Sequence, residues 1–182
     1  MSTPPFRADH VGSLLRPASV MDARKKFYCD APTISAEELK AIEDEAIADV
    51  IKLQEDVGLQ VVTDGEQRRY FWHYDFMGML TGFDMDLRDE GIQFAGTQIP
   101  PLYPTITGKL DFPDDHPMLD HFKFVAANTK VTPKISIPGP SCCHFRTAPE
   151  DIAPEEYKDT DVLFADIAAT YKKAVEKFYE AG

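Results

Sequence analysis

A charged segment that follows a short β-branched run has the composition of a ligand site. Val61-Val62-Thr63 would suit a buried strand, and Asp64-Gly65-Glu66 comes directly after it. Two arginines and three aromatic residues occupy the next six positions, 67–72. Folding does not require an acid at the end of a strand. Because ligands of α/β proteins bind at the carboxyl ends of the strands, we interpret Glu66 as a site residue.

The chemistry available to this segment depends on its charges. A carboxylate beside a glycine, such as Glu66, could hold an ammonium group, orient a base or bind a metal ion. Arg68 and Arg69 could hold a carboxylate or a polyanion through paired hydrogen bonds. The structural alternative is the first turn of a helix, in which the acids favour the helix dipole and the arginines lie on a solvated face.

A second candidate site is the turn His10-Val11-Gly12-Ser13, which we expect at the end of the first strand. Its backbone N–H groups and the Ser13 hydroxyl could bind a small anionic group such as a carboxylate. The alternative is a plain strand-to-helix turn in which Ser13 caps the helix.

Cys142-Cys143-His144 contains groups that bind zinc, but the spacing is unusual for a metal site. Adjacent cysteines point in opposite directions, and the chain has only one other cysteine, Cys29. We therefore assign no metal ligands here and favour a pocket-lining loop, with His144 or Phe145 as a stacking wall. The aromatic cluster at 71–76 is more typical of a core than of a ligand cage.

The clearest element that could position these residues is a helix at 33–58. Ser35 and Glu38 form a capping box at its start, and Gly58 suits its end. A strand follows at 59–63, and this order indicates a parallel sheet. The predicted buried stripe of the helix is Leu39, Ile42, Ala46, Val50, Leu53 and Val57.

Other periodic segments complete an α/β pattern. Strands are predicted at about 6–11 and 134–137, with a β excursion near 84–112, and helices after Pro17, at 119–127 and at 161–180. The last helix is expected to bury Phe164, Ile167, Tyr171, Val175 and Phe178.

Charge and composition exclude several functions. The chain of 182 residues has a net charge of −12 and a sequence pI of about 4.7. An acidic protein does not suit nucleic acid or an anionic membrane, both of which attract basic surfaces. No signal peptide and no apolar run of membrane-spanning length are present, so we expect a cytoplasmic protein.

Together these segments resemble the cobalamin-independent methionine synthase superfamily, in particular the catalytic barrel of its short, single-barrel members (methionine synthase II-like). The resembling segments occur in family order. They are 10–17, 56–59, 63–69 and 137–140.

The resemblance implies a TIM (β/α)₈ barrel with its site at the carboxyl ends of the strands. Such a barrel needs about 250 residues. We therefore expect 1–182 to form a single, incomplete domain, namely the N-terminal portion of the barrel with about three strands and the small β excursion.

The resemblance also implies a methyltransferase that moves a methyl group from methyltetrahydrofolate to the thiol of homocysteine, which gives methionine. The residues expected to bind the amino acid come from the segments 10–16 and 66–69. They are His10, Val11, Gly12, Ser13, Arg16, Glu66 and Arg69. Glu66 would receive the substrate ammonium group.

Zinc would activate the thiol as a thiolate, and its ligands are expected outside this segment. The folate-stacking tryptophan of the family is not found after Gly139-Pro140. Trp72 and Phe145 are therefore the folate-side candidates, and the 182-residue piece is expected to be inactive alone.

Two alternatives stay open. One is a related zinc-dependent thiol alkyltransferase, such as an epoxyalkane:coenzyme M transferase, which would bind a sulfonate and need no ammonium holder. The other is a catalytically inert fragment or binding module.

Overall fold

The computed structural model describes residues 7–89, 91, 93–98, 102–145 and 147–182. The helices are Ala18–Phe27 (α1), Ala36–Asp56 (α2), Tyr74–Met77 (α3), Pro117–Asn128 (α4), Cys142–Phe145 (α5) and Thr160–Glu180 (α6). The strands are Val61–Val62 (β1), Thr81–Leu87 (β2), Gln93–Phe94 (β3), Thr97–Gln98 (β4), Leu102–Asp111 (β5) and Thr132–Pro133 (β6).

The contacts between these elements divide the described chain into two compact units. The first unit contains 7–69, 120–136 and 182, and the second contains 70–119 and 137–181. The expectation that 1–182 is a single domain stays a prediction.

Helix α2 begins at the predicted capping box. The Ser35 hydroxyl accepts from the Glu38 amide at 3.1 Å, and the Glu38 carboxylate accepts from the Ser35 amide at 2.8 Å. Both bonds satisfy amide groups that the first turn of a helix leaves without partners. The prediction of the helix start is therefore confirmed.

The buried face of α2 differs in part from the predicted stripe. Leu53 and Val57 are 56% and 68% exposed, so their assignment to the core was wrong. Ile47 and Ile51 are buried instead, and they pack with Val62 of β1 in the core of the first unit. The remaining buried residues of the helix are Leu39, Glu43, Ala46, Val50 and Gln54.

The parallel pairing in the first unit is shorter than predicted. Strand β1 pairs with β6 in the register Val61 with Thr132 and Val62 with Pro133. The predicted strand at 134–137 is wrong in position, since pairing ends at Pro133. The described part of the predicted strand 6–11, residues 7–11, forms no strand.

The second unit contains the β excursion. Strands β2 and β5 pair antiparallel, from Thr81 with Asp111 to Leu87 with Leu102, which confirms the prediction near 84–112. Helix α6 contacts β5.

The buried face of α6 also differs in part from the predicted one. Ile167, Tyr171 and Phe178 are buried as predicted, whereas Phe164 and Val175 are 47% and 61% exposed. Leu163 and Ala174 take their places in the core.

The described residues thus form a mixed α/β structure with small sheets. Their helices include none with the length and apolar character that a bilayer span requires.

Candidate amino-acid site

The loop after β1 holds Glu66 in a rare backbone conformation. Glu66 has a φ of 54°, and it is the only non-glycine residue with positive φ in the described part of the chain. Gly65 precedes it with a φ of 63°. A side-chain-bearing residue in this left-handed region costs free energy and is often found at functional sites.

Two side-chain hydrogen bonds shape the turn locally. The Thr63 hydroxyl accepts from the Gly65 amide at 3.0 Å, and the Asp64 carboxylate accepts from the Glu66 amide at 2.8 Å. Burial raises the pKa of the Asp64 carboxyl, although the bond from the Glu66 amide opposes the shift. Asp64 therefore acts on the backbone of the turn, while the Glu66 carboxylate is left to other partners.

The Glu66 carboxylate meets two of the predicted site residues. The Ser13 hydroxyl donates to Glu66 Oε2 at 3.0 Å, and the Arg69 guanidinium forms an ion pair with the same oxygen. Arg69 also donates to the Ser13 hydroxyl at 2.8 Å. Ser13 lies more than fifty residues before the other two, and the three side chains form a polar cluster that we call the Ser13–Glu66–Arg69 cluster.

The side chain of Arg16 contacts the backbone of the same loop. Its guanidinium donates to the carbonyl oxygens of Glu66 at 2.8 Å, Gln67 at 3.0 Å and Arg69 at 2.7 Å. The sequence predicts that Arg16 binds the substrate, and this stays a prediction. In the structure its donors are directed at the loop that carries Glu66.

Arg24 of α1 also binds the backbone of this loop. It donates to the carbonyls of Arg68 at 3.0 Å and Arg69 at 3.2 Å. It also forms an ion pair of 3.0 Å with Glu43 of α2, and Arg68 contacts the second oxygen of Glu43 at 3.5 Å. The guanidinium of Arg68 also pairs with Asp44.

Glu43 was missed by the sequence interpretation. Its side chain is only 8% exposed, and burial raises the pKa of its carboxyl while Arg68 and Arg24 oppose the shift. A signal was available, because Glu43 lies four residues after Leu39 and four before Ile47, on the apolar stripe of α2. An acid on a buried stripe indicates a paired charge.

The other residues of the segment 10–13 either contact neighbouring parts of the chain or are exposed. His10 Nε2 is 2.5 Å from the carbonyl oxygen of Gly12, which has a φ of 92°. Lys134, after β6, pairs with Asp9 and donates to the His10 carbonyl at 2.7 Å. Val11 is 73% exposed.

The folate-side candidates belong to the second unit. Trp72 is 47% exposed, with its ring 3.8 Å from that of His73. The side chain of Phe145 lies outside the described residues. His144 and Phe164 pack edge to face at 5.0 Å. A cavity of about 500 Å³ is lined by Pro140, Ser141, His144, Phe164, Ile167 and Tyr171.

The adjacent cysteines do not fit a zinc ion. Cys143 is buried, its sulfur lies 3.9 Å from the Tyr171 hydroxyl, and burial raises the pKa of its thiol to about 11. A cysteine binds zinc as a thiolate, and the buried environment of Cys143 disfavours that form. Within the described ranges, no three His, Cys, Asp or Glu side chains are grouped so that they could hold a metal ion.

Relatives with known sequences match almost the whole chain. The uncharacterized proteins YxjH and YxjG of Bacillus subtilis strain 168 are 44% and 41% identical to it, over 98% of this chain. The chain spans 46% of the length of each of these curated relatives.

Solved structures resemble it as well. A Listeria monocytogenes protein, provisionally assigned as a vitamin-B12-independent methionine synthase, has a TM-score of 0.80 at 36% identity, covering 100% of this chain and 51% of its own. A B12-independent methionine synthase from Shewanella sp. W3-18-1, solved with selenomethionine, has a TM-score of 0.63 at 21% identity, over 94% of this chain and 47% of its own. At that identity the second likeness shows the fold alone.

The family model described as the catalytic domain of cobalamin-independent synthase matches residues 6–182. The chain therefore belongs to the cobalamin-independent synthase catalytic-domain family.

Proposed function

We propose that this chain supplies the amino-acid-binding part of a methyltransferase that methylates the thiol of homocysteine with methyltetrahydrofolate as donor. The single observation that carries the proposal is the Ser13–Glu66–Arg69 cluster, built around a glutamate in a left-handed conformation. The parallel pair β1–β6, with α2 packed on β1, is proposed to be part of a (β/α)₈ barrel.

The cluster has the charges that a zwitterion requires. Arg69 neutralises Glu66 through their ion pair. A bound amino acid would give its ammonium group to Glu66 and its carboxylate to Arg69 and Ser13, so that one ion pair is replaced by two. Each charge is partly shielded from water, since the side chains of Glu66 and Arg69 are 16% and 31% exposed. Charge-assisted hydrogen bonds in such a setting are strong.

Two comparisons support the proposal. The family match covers the segment that contains all three side chains. The Shewanella relative was solved with selenomethionine, an amino acid that carries a methyl group on selenium, and it shares the fold of this chain.

Zinc, which the family resemblance implies, has no fitting ligand set among the described residues. We therefore propose that any zinc ligands of the whole protein lie elsewhere. We propose that the folate binds near the cavity beside His144 and Phe164. Phe145 and Trp72 stay candidates for stacking on it.

The test is homocysteine binding by the full-length protein, measured by calorimetry. Glu66→Gln removes the charge that receives the ammonium group, and losing such a partner costs about 1–3 kcal/mol, or roughly a 5- to 150-fold rise in Kd. Glu45→Gln, at an exposed position of α2, is the matched control and should leave Kd unchanged.

Two analogues separate the halves of the zwitterion. 3-Aminopropane-1-thiol lacks the carboxylate, and 4-mercaptobutanoate lacks the ammonium group. Both should bind more weakly than homocysteine. Equal affinity of wild type and Glu66→Gln for homocysteine would remove the basis of the proposal.

A thiol with an anionic tail is the second candidate substrate, and the observation that favours it is that Arg69 already satisfies Glu66. Such a substrate, for example coenzyme M, would need only the guanidinium. Tight binding of coenzyme M that survives Glu66→Gln but is lost in Arg69→Gln would select this alternative.

A further inference from the structure

Every carbonyl oxygen from Glu66 to Arg69 accepts a hydrogen bond from Arg16, from Arg24 or from both. Arg16 binds the carbonyls of residues 66, 67 and 69, and Arg24 binds those of residues 68 and 69. Four successive carbonyl dipoles therefore converge on two guanidinium groups. Without a cation between them, carbonyls arranged in this way would repel one another.

The convergence of these carbonyls requires the unusual backbone of the turn. Gly65 and Glu66 both have positive φ, which turns the chain so that the following carbonyls face Arg16 and Arg24. The same turn directs the Glu66 side chain at Ser13 and Arg69. A left-handed glutamate persists only when its surroundings over-determine it.

Arg16 differs from Arg24 in its partners. Arg24 has an ion pair with the buried Glu43, so its loss would also leave a buried charge unpaired. In the described part of the chain, by contrast, no ion pair includes Arg16, and its guanidinium donates to backbone carbonyls.

The electrostatic setting of Arg16 is unfavourable for a residue that serves stability alone. Burial and then the nearby charges of Arg24 and Arg69 lower the pKa of its guanidinium, against smaller opposing effects of Glu43 and Glu66. A partly buried cation whose hydrogen bonds go to three carbonyls of one loop is best explained by the geometry that it imposes on that loop.

We propose that Arg16 is a positioning residue for the amino-acid site: its planar guanidinium holds the 66–69 turn so that the Glu66 carboxylate faces Ser13 and Arg69. This role rests on the proposed function of the cluster. Arg16 contacts no substrate, and it acts through the backbone of the residue that does. Lysine cannot replace it, because a single ammonium group cannot reproduce the fixed fork of donors that spans three carbonyls.

The test compares Arg16→Lys and Arg16→Ala with wild type in the full-length protein. Both variants should raise the KM for homocysteine at least tenfold, with a smaller change in kcat, because the chemistry itself is not touched. Hydrogen exchange of the amides at 66–69 should accelerate in both. Arg88→Lys is the matched control, since Arg88 pairs with Asp151 in the second unit and should leave KM and exchange at 66–69 unchanged.

Chemical rescue gives a readout that a general loss of stability would not. Millimolar guanidinium or ethylguanidinium should partly restore the KM of Arg16→Ala, and the same concentration of ethylammonium should not. If Arg16→Ala does not fold, Arg16→Lys carries the KM and exchange measurements.

Two results would overturn the positioning role. One is a KM within twofold of wild type in Arg16→Lys together with accelerated exchange at 66–69. The other is unchanged exchange in both variants. If wild-type protein does not bind homocysteine, the proposed function fails separately, and exchange at 66–69 alone then decides whether Arg16 holds the loop.

Discussion

Gly65 is the residue on which the site geometry depends most directly. Its φ of 63° is unfavourable for any L side chain, and a Cβ added there would lie 2.8 Å from Val50 Cγ1 and 3.2 Å from Leu14 Cβ. Val50 is buried in α2, and Leu14 is tied to Gly65 by a backbone hydrogen bond, so neither neighbour can withdraw freely. We expect Gly65→Ala to lower the free energy of unfolding by about 2–4 kcal/mol, from backbone strain and overpacking together.

Urea denaturation checks this prediction, and Gly58→Ala is its control. Gly58 also has a positive φ, of 87°, but a Cβ there meets no atom within 4 Å among the described residues. Gly58→Ala should therefore lower the free energy of unfolding through backbone strain alone, by about 1–2 kcal/mol. Equal losses at the two glycines would mean that the Val50 contact is relieved without cost.

For single residues, the sequence predicted which side chains come together in the site better than it predicted what each one does. Ser13, Glu66 and Arg69 were named, and the structure brings them together. The conformation of Glu66 was not predictable, because glutamate has no preference for positive φ and the arginines that bind the turn come from distant positions in the chain. The backbone role of Arg16 was missed because carbonyl partners leave no trace in residue type.

Helix α2 connects the core to the site through Glu43. Its carboxylate is held by Arg24 and Arg68, whose side chains are 11% and 8% exposed. Removing one partner of a buried ion pair leaves the others uncompensated, so we expect Glu43→Ala to cost about 3–5 kcal/mol of unfolding free energy. Midpoints and m-values from urea unfolding measure this cost.

The same helix offers a matched exposed pair as control. Lys52 and Asp56 are four residues apart at 2.5 Å, with side chains 71% and 61% exposed. Asp56→Asn should change stability by less than about 0.5 kcal/mol. A Glu43→Ala effect as small as that of the control would show that the buried charges contribute little.

Element boundaries with a local cause were predicted well, and those with a distant cause were not. The start of α2 follows from Ser35 and Glu38 alone. The limits of β6 follow from pairing with β1, some seventy residues earlier, which no local pattern contains. The exposed Leu53 and Val57 show a related limit: α2 has two neighbouring apolar stripes, and periodicity cannot choose between them.

For the molecule as a whole, pH should act through His116. It is 1% exposed, its Nδ1 accepts from the Met118 amide at 3.2 Å, and its Nε2 therefore donates to the Phe76 carbonyl at 3.1 Å. Phe112 stacks on the ring at 4.8 Å. Only the neutral form satisfies both hydrogen bonds. Burial lowers the pKa of His116, against smaller opposing effects of the Phe76 carbonyl and Asp115.

The sign of the pH effect follows from this lowered pKa. Below the unfolded-state value of about 6.5, the unfolded chain binds a proton that the folded chain does not. The contribution of His116 to the free energy of unfolding is therefore fully present above about pH 6.5. Below that pH it falls, by at most about 1.4 kcal/mol per pH unit.

Unfolding free energies of wild type and His116→Gln between pH 7 and 5 check this prediction. Glutamine can keep a donor and an acceptor at the same place but does not titrate, so the variant should lose that part of the slope. Other titrating groups, Glu43 and Asp64 among them, are common to both proteins and cancel in the difference. Parallel pH profiles would contradict the assignment.

Segment 13–16 is attached to the loop after β1 at several points. The number of residues between these points is therefore constrained, in addition to the types of the residues. Ser13 binds the Glu66 side chain, the Leu14 amide donates to the Gly65 carbonyl at 3.0 Å, and Arg16 binds the carbonyls that follow. One residue inserted between these anchors would displace at least one of them by about 3.3–3.6 Å, more than a hydrogen bond tolerates. The two segments therefore form a matched pair, and grafting the Glu66 turn onto another scaffold would require transplanting 13–16 with it in the same frame.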